Sequence, residues 1–75
     1  MNLSDVLIHI NDPLSDAQRQ ALEEEMRQID GVIAPRFNPG KEHILLVAFD
    51  PDLVHASALL EKARSHGYQA QLVGA

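Results

Sequence analysis

Apolar residues recur along this chain with two different periods, and the changes of period divide it into six segments. Val6-Leu7-Ile8-His9-Ile10 is a short, β-branched run closed by the turn formers Asn11-Asp12-Pro13, which predicts a first strand over residues 4–10. From Ser15 the period lengthens. Gln18, Leu22, Met26 and Ile29 fall on one stripe, while Arg19, Glu23, Glu24, Arg27 and Gln28 fall on the others, the layout of an amphipathic helix ending at Asp30-Gly31. Gly31 stands where a left-handed C-terminal cap is wanted. Val32 to Phe37 reads as a second strand, and its Pro35 removes a ladder N–H and assigns the segment to a sheet edge. Asn38-Pro39-Gly40-Lys41 is a turn, and His43 to Phe49, the most apolar stretch, is a central strand paired with its predecessor as a hairpin. Residues 52–66 return to helical spacing through Ala56, Leu59, Leu60 and Ala63 and stop at His66-Gly67, before a final strand over residues 68–73.

The resulting order, βαββαβ, contains an echo: strand, Asp-Pro, helix, then Gly plus an apolar residue occurs as Asp12-Pro13 to Gly31-Val32 and again as Asp50-Pro51 to Gly67-Tyr68. Proline in the first helical turn and glycine just past the last follow from which backbone groups a helix leaves unpaired, so the echo predicts two halves related by a pseudo-twofold. That symmetry belongs to the α+β ferredoxin-like sandwich, an antiparallel sheet in spatial order 4-1-3-2 with both helices on one face. Strand two, with Pro35, is then an edge. The expected core is Val6, Ile8, Ile10, Leu22, Met26, Ile29, Val32, Phe37, Leu45, Val47, Phe49, Leu59, Ala63 and Leu72.

Composition narrows the classes further. A chain of 75 residues forms one domain and buries only about 60% of its unfolded surface. With 45% apolar and 23% charged residues it is an ordinary globular sequence rather than a disordered one. A net charge of −5 has the wrong sign for phosphates, which argues against nucleic acid and anionic membranes as partners. The absence of cysteine removes disulfides, thiolate nucleophiles and thiolate metal ligands together. No basic leader precedes an apolar segment, and the run Ile44 to Phe49 is too short for a membrane span, so the expectation is a cytoplasmic protein starting at its own Met1.

Gly31-Val32, Phe37-Asn38, Leu45 and Val47 leading into Phe49-Asp50-Pro51, then Leu59, Ala63 and Gly67-Tyr68 with Ala70, together resemble the heavy-metal-associated domain of copper chaperones and metal-pumping ATPases. The resemblance covers nearly the whole chain. It implies a soft-metal site in the loop between the first strand and first helix, where that family carries Met-x-Cys-x-x-Cys. Counted back from Gly31, the two cysteine positions are Ser15 and Gln18, whose hydroxyl and neutral amide are poor ligands for soft ions. Ser15-Asp16-Ala17-Gln18 reads instead as a capping box at the helix start. Leu14 would take the packing position of the family's Met after a one-residue insertion. The expectation is no bound cofactor, no tightly held metal ion, and an adaptor role linked to metal homeostasis.

Histidines offer a harder site for Zn(II) or Ni(II): the topology gathers His9, Asp12, His43, His66 and Tyr68 at one pole, with His55 at the other. Strand parity turns His9 to the sheet face away from His66, and the cation at His66 has a structural use at a helix C-terminus. His9, Asp12 and His66 are therefore weak metal candidates. Nothing in the chain suggests catalysis: Glu23, Glu24 and Glu25 are a solvated helical face with Glu23 spaced to pair with Arg27, and phosphate-binding glycine loops are absent. What remains is the outer sheet face. With Leu45, Val47 and Phe49 turned to the helices, Ile44, Leu46 and Ala48 face outward beside Leu7 and His9, an apolar strip where polar residues are usual. Two surfaces are thus expected to serve a protein partner or self-association, Leu7, Ile44 and Leu46 on the sheet or Glu23 and Glu24 on the first helix. Competing readings are a metal carrier using His and Asp ligands, and a small-molecule-sensing regulatory domain of similar architecture.

Overall fold

β-Branched Val6, Ile8 and Ile10 at every second position give β1 (Ser4–Ile10) its inward face, with Ile8 and Ile10 fully buried and Leu7 outward. The computed structural model describes residues 2–73. After β1 come α1 (Asp16–Arg27), β2 (Val32–Phe37), β3 (Ile44–Phe49), α2 (Ala56–Arg64) and β4 (Ala70–Val73). The sheet is antiparallel throughout, in order β2-β3-β1-β4, the ferredoxin-like arrangement. Pro35 lies in the edge strand β2, where its missing N–H interrupts no central ladder, and a register shift between Val32 and Ala34 bends that edge.

One face of the sheet and the apolar stripes of both helices enclose the core: Ile8, Ile10, Leu22, Met26, Leu45, Val47, Phe49, Leu59 and Ala63. Three members fall outside the expected set. Leu14 and Val54 are the residues just before the helix caps, each 8% exposed, and Ala70 opens β4. Val6, Ile29, Val32 and Phe37 are only partly buried at the core's margin.

Leu72 corrects the expected core, being 42% exposed. It pairs with Ile8 on a short edge strand, but the cover stops short: α2 begins only at the small Ala56. An open groove of about 630 Å³ is left there, lined by Val6, Phe49, Ala56 and Leu72 among others. The late start of α2 is itself a correction to the expected 52–66 helix. Asp50 to Leu53 form a separate turn, in which Leu53 N and Val54 N donate to the Asp50 carbonyl at 3.0 and 3.1 Å and Asp52 N donates to the Asp50 carboxylate at 2.9 Å. Pro51 therefore sits in that turn and Pro13 sits two residues before the α1 cap, so neither occupies a first helical turn. Helix α1 ends at Arg27 rather than Asp30, and Gly31 closes the following turn at φ +97°. Among the described residues no helix is long and apolar enough to cross a membrane.

Candidate functional site

Helix α1 starts with four amide groups that the helix itself cannot satisfy, and Ser15 and Gln18 are consumed by that need. Gln18 N donates to Ser15 Oγ at 3.1 Å, and Ser15 N donates to Gln18 Oε1 at 2.8 Å, a complete capping box with Ser15 in extended geometry. Leu14 is buried beneath it, and its carbonyl accepts from the Arg19 guanidinium, which also pairs with Asp16. The loop thus offers a metal one hydroxyl and one amide oxygen, both already hydrogen-bonded and both hard donors.

The other pole residues do not converge. Asp12 accepts from Gln69 N at 2.8 Å, tying the first connection to the start of β4. His66 Nε2 lies 2.7 Å from Glu25 Oε2, and its ring stacks on Tyr68 with centroids 5.5 Å apart. Lys62 also reaches Glu25, at 3.4 Å, so this carboxylate bridges the two helices. His9 faces outward as parity requires; its Nδ1 contacts Asn11 Oδ1 at 2.9 Å and Gln71 Nε2 at 3.3 Å. His43 Nδ1 donates to the Ile10 carbonyl at 2.7 Å, and its ring stacks on His9 at 5.9 Å. His55 caps α2 without a side-chain bond. Among the described residues no three histidine or acidic side chains are grouped so as to hold a metal ion.

The acidic face of α1 differs from expectation. Arg27 pairs with Glu24, one turn away, and Glu23 instead accepts from Phe37 N at 2.8 Å, pinning the edge strand to the helix. Two of the expected surface carboxylates are therefore committed within the molecule.

On the outer sheet face the register sets Leu46 between Arg36 and Leu7, with Val73 beyond; Ile44 lies beside His9 and Ala48 beside Asp5. Leu7 is 37% and Val73 40% exposed, while Ile44, Leu46 and Ala48 are half-buried by their neighbours. Among the described residues no helix covers this face.

No family model and no curated protein matches the sequence. Solved structures do. The N-terminal domain of a potential copper-translocating P-type ATPase from Bacillus subtilis, in its Cu(I)-loaded state, is 23% identical, with TM-score 0.85 over 97% of this chain and 90% of that one. Oxidized MerP from Ralstonia metallidurans is 14% identical, with TM-score 0.84 over 97% of this chain and 100% of that one. The CopZ metallochaperone is 20% identical, with TM-score 0.81 over 91% and 100%. The fold is that of the heavy-metal-associated domains.

Within the heavy-metal-associated fold, three residues of this pole escaped the sequence reading as partners: Glu25, Asn11 and Gln71. The signal for Glu25 was its place on the stripe neighbouring Leu22 and Met26, which turns it toward α2 rather than to solvent. Asn11 and Gln71 had no such signal, because the register of β1 with β4 brings them together.

Proposed function

We propose that this chain is a non-enzymatic, cytoplasmic member of the heavy-metal-associated family that has exchanged its soft-metal loop for a helix cap and serves metal homeostasis by docking to protein. The observation that carries this reading is the outer sheet face, where Leu46 and Leu7 form the centre of an uncovered apolar patch. Solvent-facing positions of an open antiparallel sheet are ordinarily polar, so an aliphatic centre has its use where a partner excludes water. Likeness to copper-binding domains supports the link to metal handling, and the chemistry of Ser15 and Gln18 supports the loss of Cu(I) affinity.

A two-dimensional NMR titration tests the metal half of the reading. Cu(I) should leave the native chain unsaturated, whereas a Ser15→Cys, Gln18→Cys double variant should bind one equivalent with shifts confined to residues 11–19 and 66–69, because the family's spacing from Gly31 selects these two positions for its cysteines. Stoichiometric shifts in the native chain near Asp12, Ser15 and His66, with Cu(I), Zn(II) or Ni(II), would overturn it. The docking half is tested by Leu46→Lys, which should abolish association while leaving the melting temperature close to native.

A further inference from the structure

We propose that the outer sheet face docks against the same face of a second copy, about a twofold axis that pairs Arg36 of each copy with Asp5 of the other. The proposal rests on the docking reading above and supplies its occupant. The register arranges the outer residues as a grid: Arg36, Leu46, Leu7 and Val73 share one row across the four strands, Ala34, Ala48 and Asp5 share the row on one side, and Ile44, His9 and Gln71 the row on the other. Arg36 and Asp5 are the cation and the anion of this grid. Both are exposed, and among the described residues neither takes part in an ion pair.

Passing from Arg36 to Asp5 crosses two strands and advances one row. Ile44 to Val73 is the same step in the same direction. With strands about 4.8 Å apart and alternate residues about 6.8 Å apart along a strand, each step spans roughly 12 Å, and the midpoints of both lie on one line perpendicular to them. A twofold axis along that line, in the plane between two facing sheets, lays Arg36 over the second copy's Asp5 and Ile44 over its Val73 in one operation. The same line passes midway between Leu46 and Leu7, so the apolar centre meets itself across the axis, as a self-complementary interface requires.

Simpler axes fail on this grid. A twofold parallel to the strands through the same centre covers the Arg36 guanidinium with Val73, and one perpendicular to the strands sets Arg36 against Arg36. The diagonal axis avoids both and crosses the strands of the two copies at about 70°, toward the orthogonal class of sheet packing. Charges on the face cancel while the whole chain carries −5, so this face meets its copy without the repulsion that the rest of the surface would bring. The area is small. Four strands of four to seven residues cover roughly 400 Å² per copy, about 800 Å² for the pair, below the standard range of stable interfaces, so the dimer is weak and exchanging.

Sedimentation equilibrium of the whole chain from about 10 μM to about 1 mM tests this. The native chain should show a reversible monomer–dimer equilibrium. Arg36→Asp or Asp5→Arg alone places two like-charged pairs across the axis and should weaken the dimer about tenfold or more, while the combined exchange should restore it to within about threefold of native. Circular dichroism melts of each variant guard against loss of fold. A native chain that stays monomeric throughout, or a combined variant no tighter than the single ones, would overturn the proposal. If the native chain is monomeric and Leu46→Lys nonetheless abolishes binding to a different protein, docking stands and the second copy is excluded.

Discussion

The two strand-to-helix connections occupy equivalent places in the two halves of the fold, yet they start their helices by opposite chemistry. The first, residues 11–15, ends in a polar device: Ser15 and Gln18 satisfy each other's backbone groups at the entrance to α1. The second, residues 50–55, has no side-chain bond at its cap, His55. There Val54 at the residue before the cap and Leu59 four residues into α2 are both in the core, the layout of a hydrophobic staple. Gly31 backs onto this connection so closely that an added methyl would stand 2.8 Å from Leu53 Cβ and 2.9 Å from Val54 Cγ1, and its carbonyl accepts from Asp50 N at 2.7 Å. Packing of Val54 on Leu59 therefore starts the second helix, whereas the first starts on the hydrogen bonds between Ser15 and Gln18, with Leu14 buried beneath them and Asp12 tied to Gln69. A connection of the first kind can change its exposed side chains at small cost to the fold. That freedom is what allows the Ser15→Cys, Gln18→Cys variant to keep the architecture.

The contrast can be broken most severely from the packed side. Phe49, 5% exposed, ends β3 and leads into the second connection, so Phe49→Ala should cost about 3–5 kcal/mol, read from urea denaturation; an unchanged midpoint would refute the anchoring role. Next comes Gly31→Ala, which meets both a φ of +97° and the Leu53 and Val54 contacts, and should destabilise by about 2–4 kcal/mol in the same measurement. On the polar side the effects shrink. Ser15→Ala should cost only about 0.5–2 kcal/mol, with amide exchange accelerated in the first turn of α1 and not in α2. His55→Asp should reverse the sign, adding about 0.5–1 kcal/mol by giving α2 the side-chain cap and the favourable N-terminal charge it lacks. A native-like melting temperature for His55→Asp would mean that the staple already meets the helix start.

Most of the fold was legible because its signals are local. The apolar runs Val6 to Ile10 and Ile44 to Phe49, the turn formers around residues 38–41 and the proline of β2 act within a few residues of themselves, and the sheet order followed from the repeat of the two halves. The α1 cap was legible for the same reason, since Ser15 and Gln18 bond across one helical turn. Helix α2 was misjudged at its start because Asp52 and Leu53 fit a helical spacing, whereas the Asp50 carbonyl captures the amides of Leu53 and Val54 in a turn of its own.

What the sequence determined by itself was which face of each element is apolar, the order of the elements, and that no thiolate exists to bind a soft ion. Tertiary structure alone decided how the polar groups were spent: Glu23 on the Phe37 amide, Glu25 on Lys62 and His66, His43 on the Ile10 carbonyl beside the His9 ring. It also left Leu72 uncovered and brought Arg36 and Asp5 onto one diagonal of the outer face. The physical reason is range. Backbone periodicity and capping are settled between neighbours in the chain, but a side chain's partner depends on strand register and on how far a helix reaches across the sheet, which exist only after the chain has packed.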